Sequence, residues 1–190
     1  MTNTDTTSGA GSALPLASGR WTFDGLHSAV YFAVRHLGLT MSRGRFTDID
    51  ASLVVGETID DIVVEASVGL ASLDTGNADR DAHMLSEHFL DAAAHPTMTL
   101  RSTRIAEGDG HWRMEADLTI AGVTHPASFD VEFGGMGELL GKTHAGFSTS
   151  GQISRKDYGI DFGPMYNHLL GDVVRFDLDL EFHAPGTAAD

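Results

Sequence analysis

From Val173 to His183 the chain reads VVRFDLDLEFH. This places Val174, Phe176, Leu178, Leu180 and Phe182 on one side and Arg175, Asp177, Asp179, Glu181 and His183 on the other. Successive side chains of a strand point to opposite faces, so the pattern predicts a β-strand with one dry and one wet face. At roughly 3.3 Å per residue, about ten such residues span near 33 Å, at the long end for a strand. The same period returns in HWRMEADLTI (111–120), where Trp112, Met114, Ala116, Leu118 and Ile120 alternate with polar residues, and in ASFDVEF (127–133), through Phe129, Val131 and Phe133. Earlier segments also read as strands: 27–36, with Val30, Phe32 and Val34 on one face; 45–55, with Phe46 early and Leu53 late; and 62–70, with Ile62, Val64, Ala66, Val68 and Leu70 on one face. Segments 97–106 and 146–154 complete the set.

One stretch breaks the alternation. In NADRDAHMLSEHFLDAAAHP (77–96), Met84, Leu85, Phe89 and Leu90 recur at about one helical turn. Asn77 suits a helix N-cap, Ser86 the cap of a second short helix, and Pro96 a restart of extended chain. Gly108 to Gly110 and Gly122 mark turns, while Gly134, Gly135, Gly137 and Gly141 predict a long flexible loop over 134–142. Residues 1–19, rich in Thr, Ser, Gly and Ala, read as a disordered tail, and 185–190 as a short C-terminal one. Between them, residues 20–184 form a single domain.

About eight strands joined by short connections imply an antiparallel, all-β fold. Such strands pack as a sandwich or close as a barrel. A lone helical segment cannot cover an open sheet, but it can cap one mouth of a barrel. An eight-stranded barrel is just wide enough to be filled by side chains or to hold one slender ligand.

Composition narrows the functions. The formal net charge is −15, with 12 Lys and Arg scattered through 190 residues. Nucleic-acid binding and standing attachment to an anionic membrane surface are both disfavoured. There is no Cys, hence no disulfide or thiolate chemistry. No stretch approaches the ~20 apolar residues of a spanning helix, so stable membrane insertion is not expected. The N-terminus carries no basic segment followed by an apolar run, and a cytoplasmic location is expected.

Ten His are present. His83 and His88 are spaced wrongly for one helix face, and His27, His36, His95, His125, His144 and His168 are scattered over strand ends and loops. No metal site is assigned, and hydrogen-bonded or solvated His is the preferred reading. No G-x-S-x-G elbow supports a hydrolase, and no G-x-G-x-x-G a dinucleotide site. Arg80 and Asp81 stand beside apolar neighbours in the helical segment. They read first as a buried ion pair or backbone clamp, and second as a place where Arg80 meets a polar head group. Arg155 with Asp157 allows the same two readings, and Tyr158 either offers its hydroxyl to a head group or anchors a strand end.

Several segments resemble, in order, those of the YceI-like family, bacterial lipocalin-like proteins that bind polyisoprenoids. WTFDGLHSAVYFAVRH is similar to that family's W-x-x-D-x-x-H-S-x-V-x-F-x-V-x-H opening. MSRGRFTDIDASL is similar to its G-x-F segment, and ASLDTGNADRDAHMLSEHFLDAAAHPTMTLRST to its S-x-x-T-x-N-x-x-R-D-x-H-L stretch. LTIAGVTHP, SRKDYGID and GDVVRFDLDLEF follow the later motifs. Departures are small: Met84 stands where Leu is common, and Ala116 or Asp117 where Gly is common.

The resemblance implies an elongated eight-stranded antiparallel lipocalin-like β-barrel with the helical insertion over one end. It also implies a homodimer and a hydrophobic small-molecule ligand, an isoprenoid or related lipid, along the interior. Phe32, Val34, Phe46, Met84, Leu85, Phe89, Phe147, Phe176, Leu178 and Phe182 would line the channel, with Arg80 and Tyr158 toward the head group. Residue by residue, the same apolar set also suits a solid core. A carrier needs no catalytic residues, cofactor or metal, and none is assigned. The alternatives are an enzyme using His36, His83, Arg80 or Asp81 as acid or base on a hydrophobic substrate, and a stress-response protein whose lipid is incidental.

Overall fold

The computed structural model describes residues 14–161, 163 and 167–186. Eleven strands form one sheet: β1 (Gly19–Phe23), β2 (Ala29–His36), β3 (Thr40–Phe46), β4 (Ile49–Val55), β5 (Val63–Gly69), β6 (Leu73–Asp74), β7 (Thr97–Glu107), β8 (Trp112–Ile120), β9 (Val123–Leu139), β10 (Lys142–Ser154) and β11 (Leu170–His183). The first six are three interrupted strands. β2 pairs with β3 and β1 with β4, so β1–β2 and β3–β4 make one long broken hairpin, and β5–β6 extends it. Counted this way there are eight staves, all antiparallel. The sheet closes where β11 pairs with β2 along one stretch and with β1 at Thr22↔His183 and Phe23↔Phe182. Alternation thus predicts the architecture correctly, and closure selects barrel over sandwich.

The inward face is the predicted one. Trp21, Val30, Phe32, Phe46, Leu53, Ile62, Leu70, Met114, Leu118, Ile120, Phe129, Ala145 and Phe182 belong to one buried cluster. Polar partners alternate outward and pair across strands, as Arg101 does with Glu65 and Arg113 with Asp130.

The insertion between β6 and β7 carries α1 (Ala78–Leu85). Asn77 caps it as expected, its side chain accepting from the Arg80 N–H at 2.9 Å. No second helix follows in residues 86–96. The Ser86 hydroxyl instead donates to His83 O, and Phe89 N–H donates to Ser86 O, so Ser86 ends one helix and shapes a turn.

The loop expected at 134–142 is not a loop. β9 runs to Leu139 and β10 starts at Lys142, with Lys142 opposite Leu139. The turn is Leu140–Gly141, both at positive φ (52° and 77°), the conformation that matches strand twist in a two-residue hairpin. Gly135, at φ 106°, lies where the β9–β10 register slips beside Gly146 and Phe147. That glycine marks a bulge rather than a loop.

Residues 1–13 of the expected N-terminal tail, and 187–190 of the C-terminal one, lie outside the described residues. Residues 14–18 do not hang free. Leu16 is buried in the core cluster, Trp21 Nε1–H donates to Ala17 O at 2.9 Å, and the Ser18 hydroxyl donates to Gly56 O. Among the described residues no helix is long and apolar enough to cross a membrane.

Candidate functional site

The inner face of β11 orders the interior. At its start, Leu170 borders a mouth of about 820 Å³ between the barrel rim and the insertion. The mouth mixes apolar Phe32, Val34, Met84 and Phe89 with polar His36, Ser42, Arg80, His83, Glu87, His88 and Asp161. Below it lies an apolar chamber of about 80 Å³, walled by Phe32, Val34, Phe46, Met84, Phe89, Leu90, Met98, Ile153, Val174 and Phe176. A second, of about 60 Å³, continues past Phe176 and Met98 to Leu178, Leu180, Val30 and Leu118. Val174, Phe176, Leu178 and Leu180 point inward yet stay only half-buried, as residues facing a void do. The interior is therefore partly hollow. Of these three cavities, only the mouth has the volume of an ordinary ligand pocket.

The far end is shut by rings. Phe182 packs on Phe23 (5.6 Å between centroids) and Phe147 (6.0 Å), and Phe147 on Phe133 (5.5 Å), with Trp112 stacked on Phe133. The cavities thus follow β11 inward from a polar mouth as far as Leu180, and the aromatic rings close the barrel beyond them.

Of the residues expected to line a channel, Phe32, Val34, Phe46, Met84, Phe89, Phe176 and Leu178 stand on these walls. Phe32 reaches its place because Gly44 faces it: a Cβ there would lie 2.4 Å from the Phe32 ring. Phe147 and Phe182 belong to the aromatic floor, and Leu85, the last residue of α1, packs on the core. Tyr158 is buried with its ring edge-on to His125 (5.4 Å), outside the walls of the three cavities. Burial pushes its phenol up to about 12, and the nearby Asp157 carboxylate adds to the shift. Met98, Leu118, Ile153 and Val174 also line the cavities. Their place on the dry faces of β7, β8, β10 and β11 was the signal for them.

Arg80 lines the mouth but is not a buried partner of Asp81. It is exposed, and donates from Nε to Thr75 Oγ1 (2.7 Å) and from Nη2 to Thr75 O (2.6 Å). The Asp81 carboxylate accepts from Thr75 N–H (3.0 Å) and from the Thr75 hydroxyl. The expected backbone clamp exists, with Thr75 as its centre. Arg155 is 3% exposed and donates to the carbonyls of Ile160, Leu170 and Gly171 and to Asn167 Oδ1. Its charge ties the 155–171 segment together at the rim.

A second constellation lies at the opposite end, on the outer face. His144 Nδ1 is 2.5 Å from Glu181 Oε1, and His183 Nε2 is 3.0 Å from Asp24 Oδ2. His27 Nδ1 lies 2.9 Å from the same Asp24 oxygen. Burial works against the Asp24 charge, but hydrogen bonds from His27, the Leu26 N–H and His183 outweigh it and hold the acid down at about 2. The Asp24 charge in turn raises His27. Sequence spacing hides this group, because its members meet only through the β10–β11 register together with the pairing of β1 and β11.

Residues 21–182 match the family model described as YceI-like domain. A UPF0312 protein of Staphylococcus epidermidis is 34% identical over 170 residues, covering 86% of this chain and 96% of that protein. Protein YceI of Escherichia coli O157:H7 is 34% identical over 145 residues, covering 74% and 76%. Among solved structures, the Campylobacter jejuni YCEI protein is similar with a TM-score of 0.69 at 28% identity, covering 78% of this chain and 88% of that one. Burkholderia cenocepacia BcnA shares the fold (TM-score 0.75, 19% identity, 84% and 98% covered). So does a polyisoprenoid binding domain from Saccharophagus degradans (TM-score 0.58, 17% identity, 89% and 100% covered).

Proposed function

The chain belongs to the YceI-like domain family, and from that premise we propose that it binds and carries a long apolar molecule of the isoprenoid or related lipid class, without chemistry. One observation carries the reading: a polar mouth opens onto two apolar chambers in line along β11, with aromatic rings closing the barrel beyond them. The head of the ligand meets Arg80, His36 and His83, and its tail follows Val174, Phe176 and Leu178 inward. Each buried tail methylene contributes about 0.8 kcal/mol. The small chambers admit a tail only if Phe176 and Met98, which border both, turn aside, so the bound state is wider than this one.

The fold of the polyisoprenoid binding domain supports the class of ligand. A cytoplasmic location and a homodimer belong to the same proposal, the dimer on family resemblance alone. Native mass spectrometry of freshly purified protein tests the ligand: the expected result is a non-covalent adduct with the mass of a lipid, lost on organic extraction and regained from a quinone or polyprenyl mixture. Protein that is bare, and stays bare with those lipids, overturns the reading. Sedimentation above the 20.2 kDa monomer, and subcellular fractionation, test the remainder.

A further inference from the structure

We propose that Asp24, His144, Glu181 and His183 bind one zinc-class divalent cation that clasps the seam where the first strand meets the last. The site stands apart from the cavity. Glu181 and His183 end β11, whose start forms the mouth, and the separation is on the order of 40 Å along the strand.

The sheet builds the constellation. Phe182 and Ala145 point inward, so their neighbours Glu181, His183 and His144 point outward. His144 sits directly opposite His183 in the β10–β11 register, which brings the two rings edge to face with centroids 4.4 Å apart. Asp24 follows β1. Its N–H donates to Glu181 O, and its own carbonyl accepts from the Ser28 hydroxyl, which in turn accepts from Glu181 N–H. The Asp24 carboxylate is held by Leu26 N–H (2.9 Å) and faces His27 from outside, an outer-shell arrangement typical of metal-binding carboxylates. Backbone pairing therefore fixes all four residues before any ion arrives.

The donor set fits a first-row divalent cation. One nitrogen from each imidazole and one oxygen from each carboxylate lie within 4.8 Å of one another. Zinc takes such donors at about 2.0–2.2 Å in a tetrahedron, whose edges are then about 3.4 Å. The observed pairs, at 2.5 and 3.0 Å, and the widest separation bracket that edge. Side-chain rotation, not backbone movement, brings the donors onto one ion. Charge agrees as well: two carboxylates and two neutral imidazoles sum to −2. Asp24 is buried and the other three are half-buried, so little water competes. With four protein donors and no open position, the ion is structural rather than catalytic. It joins residue 24 to residues 144, 181 and 183 across the closure of the barrel.

The test uses the full chain, stripped with a chelator and titrated with zinc chloride. The expected result is one zinc per chain by native mass spectrometry and a raised melting temperature. Cobalt(II) in place of zinc should give the strong visible absorption of a four-coordinate site, a signature a hydrogen-bonded clasp lacks. His144→Gln and His183→Gln keep a polar group yet lose a donor. Each should weaken zinc by more than the roughly 10–100-fold that loss of an outer-shell partner costs, and His27→Gln should fall within that range. His111→Gln, exposed in the turn between β7 and β8, should leave zinc binding unchanged. The proposal is overturned if the parent chain takes up no stoichiometric zinc, if cobalt gives only the weak spectrum of the hydrated ion, or if zinc binding survives in the double variant. The cobalt spectrum of the parent decides the matter even if the variants do not fold.

Discussion

Arg80 and Asp81 are neighbours in sequence that both reach back to Thr75, and they do so unequally. Asp81 accepts the Thr75 N–H and hydroxyl from a half-buried position, while Arg80 works from the exposed side. A hydrogen bond to a charged group contributes about 1.5–3 kcal/mol, less where solvent screens it. Asp81→Ala is therefore expected to cost about 2 kcal/mol in urea unfolding and Arg80→Ala about 1 kcal/mol or less; the reverse order would mean that the clamp hangs on the arginine. Tyr158 gives a second residue-scale prediction. Its phenol ionises later in the folded chain, at about 12, than the ordinary tyrosine at about 10. The unfolded chain thus loses its proton first, and stability must fall as pH rises from about 10 through about 12. Melts in alkaline buffers should show that slope, and Tyr158→Phe should flatten it.

At the scale of elements, alternation reads strands well and turns poorly. The dry faces of β8, β9 and β11 are visible residue by residue because burial and the two-residue period coincide there. The β9–β10 hairpin escaped because four glycines look like a loop when their partners are unknown. In the sheet, Gly135 is absorbed by a bulge and Gly141 by a two-residue turn. That turn has a defect. Leu140 holds φ 52° while 93% exposed, so nothing it packs against offsets the left-handed strain. Leu140→Asn would create the Asn-Gly pair that such turns favour. The expected gain is about 1 kcal/mol, read as a higher urea midpoint at unchanged slope; a loss would show that the leucine makes a contact beyond the monomer.

Closure explains which functional features were legible at the whole-molecule scale. The dry strand faces marked Phe32, Phe46, Phe176 and Leu178 as inward, and turn spacing in the insertion marked Met84 and Phe89, all without knowledge of strand order; that they would border a cavity came only with the family resemblance. Whether that face encloses a void depends on how the staves meet, and alternation is silent on it. The Asp24, His144, Glu181 and His183 cluster is further from reach, since it needs both the β10–β11 register and the β1–β11 seam.

The order of the cavities makes a sharper test of the carrier reading than loss of binding alone. Phe32 stands at the mouth and at the first chamber, while Phe176 divides the first chamber from the second. A larger ring at Phe32 obstructs every ligand at entry, whatever its length. At Phe176 it leaves the mouth and upper chamber open and blocks only what lies beyond. In a series of quinones sharing one head and differing in tail length, Phe32→Trp is expected to weaken all members alike. Phe176→Trp should spare the short tails and penalise the long ones, by about 0.8 kcal/mol, or roughly fourfold in affinity, for each methylene kept out of the inner chamber. Competition by native mass spectrometry reads both profiles in one mixture. Parallel curves for the two variants would mean that the tail does not run along β11, and the cavity order would then carry no functional meaning.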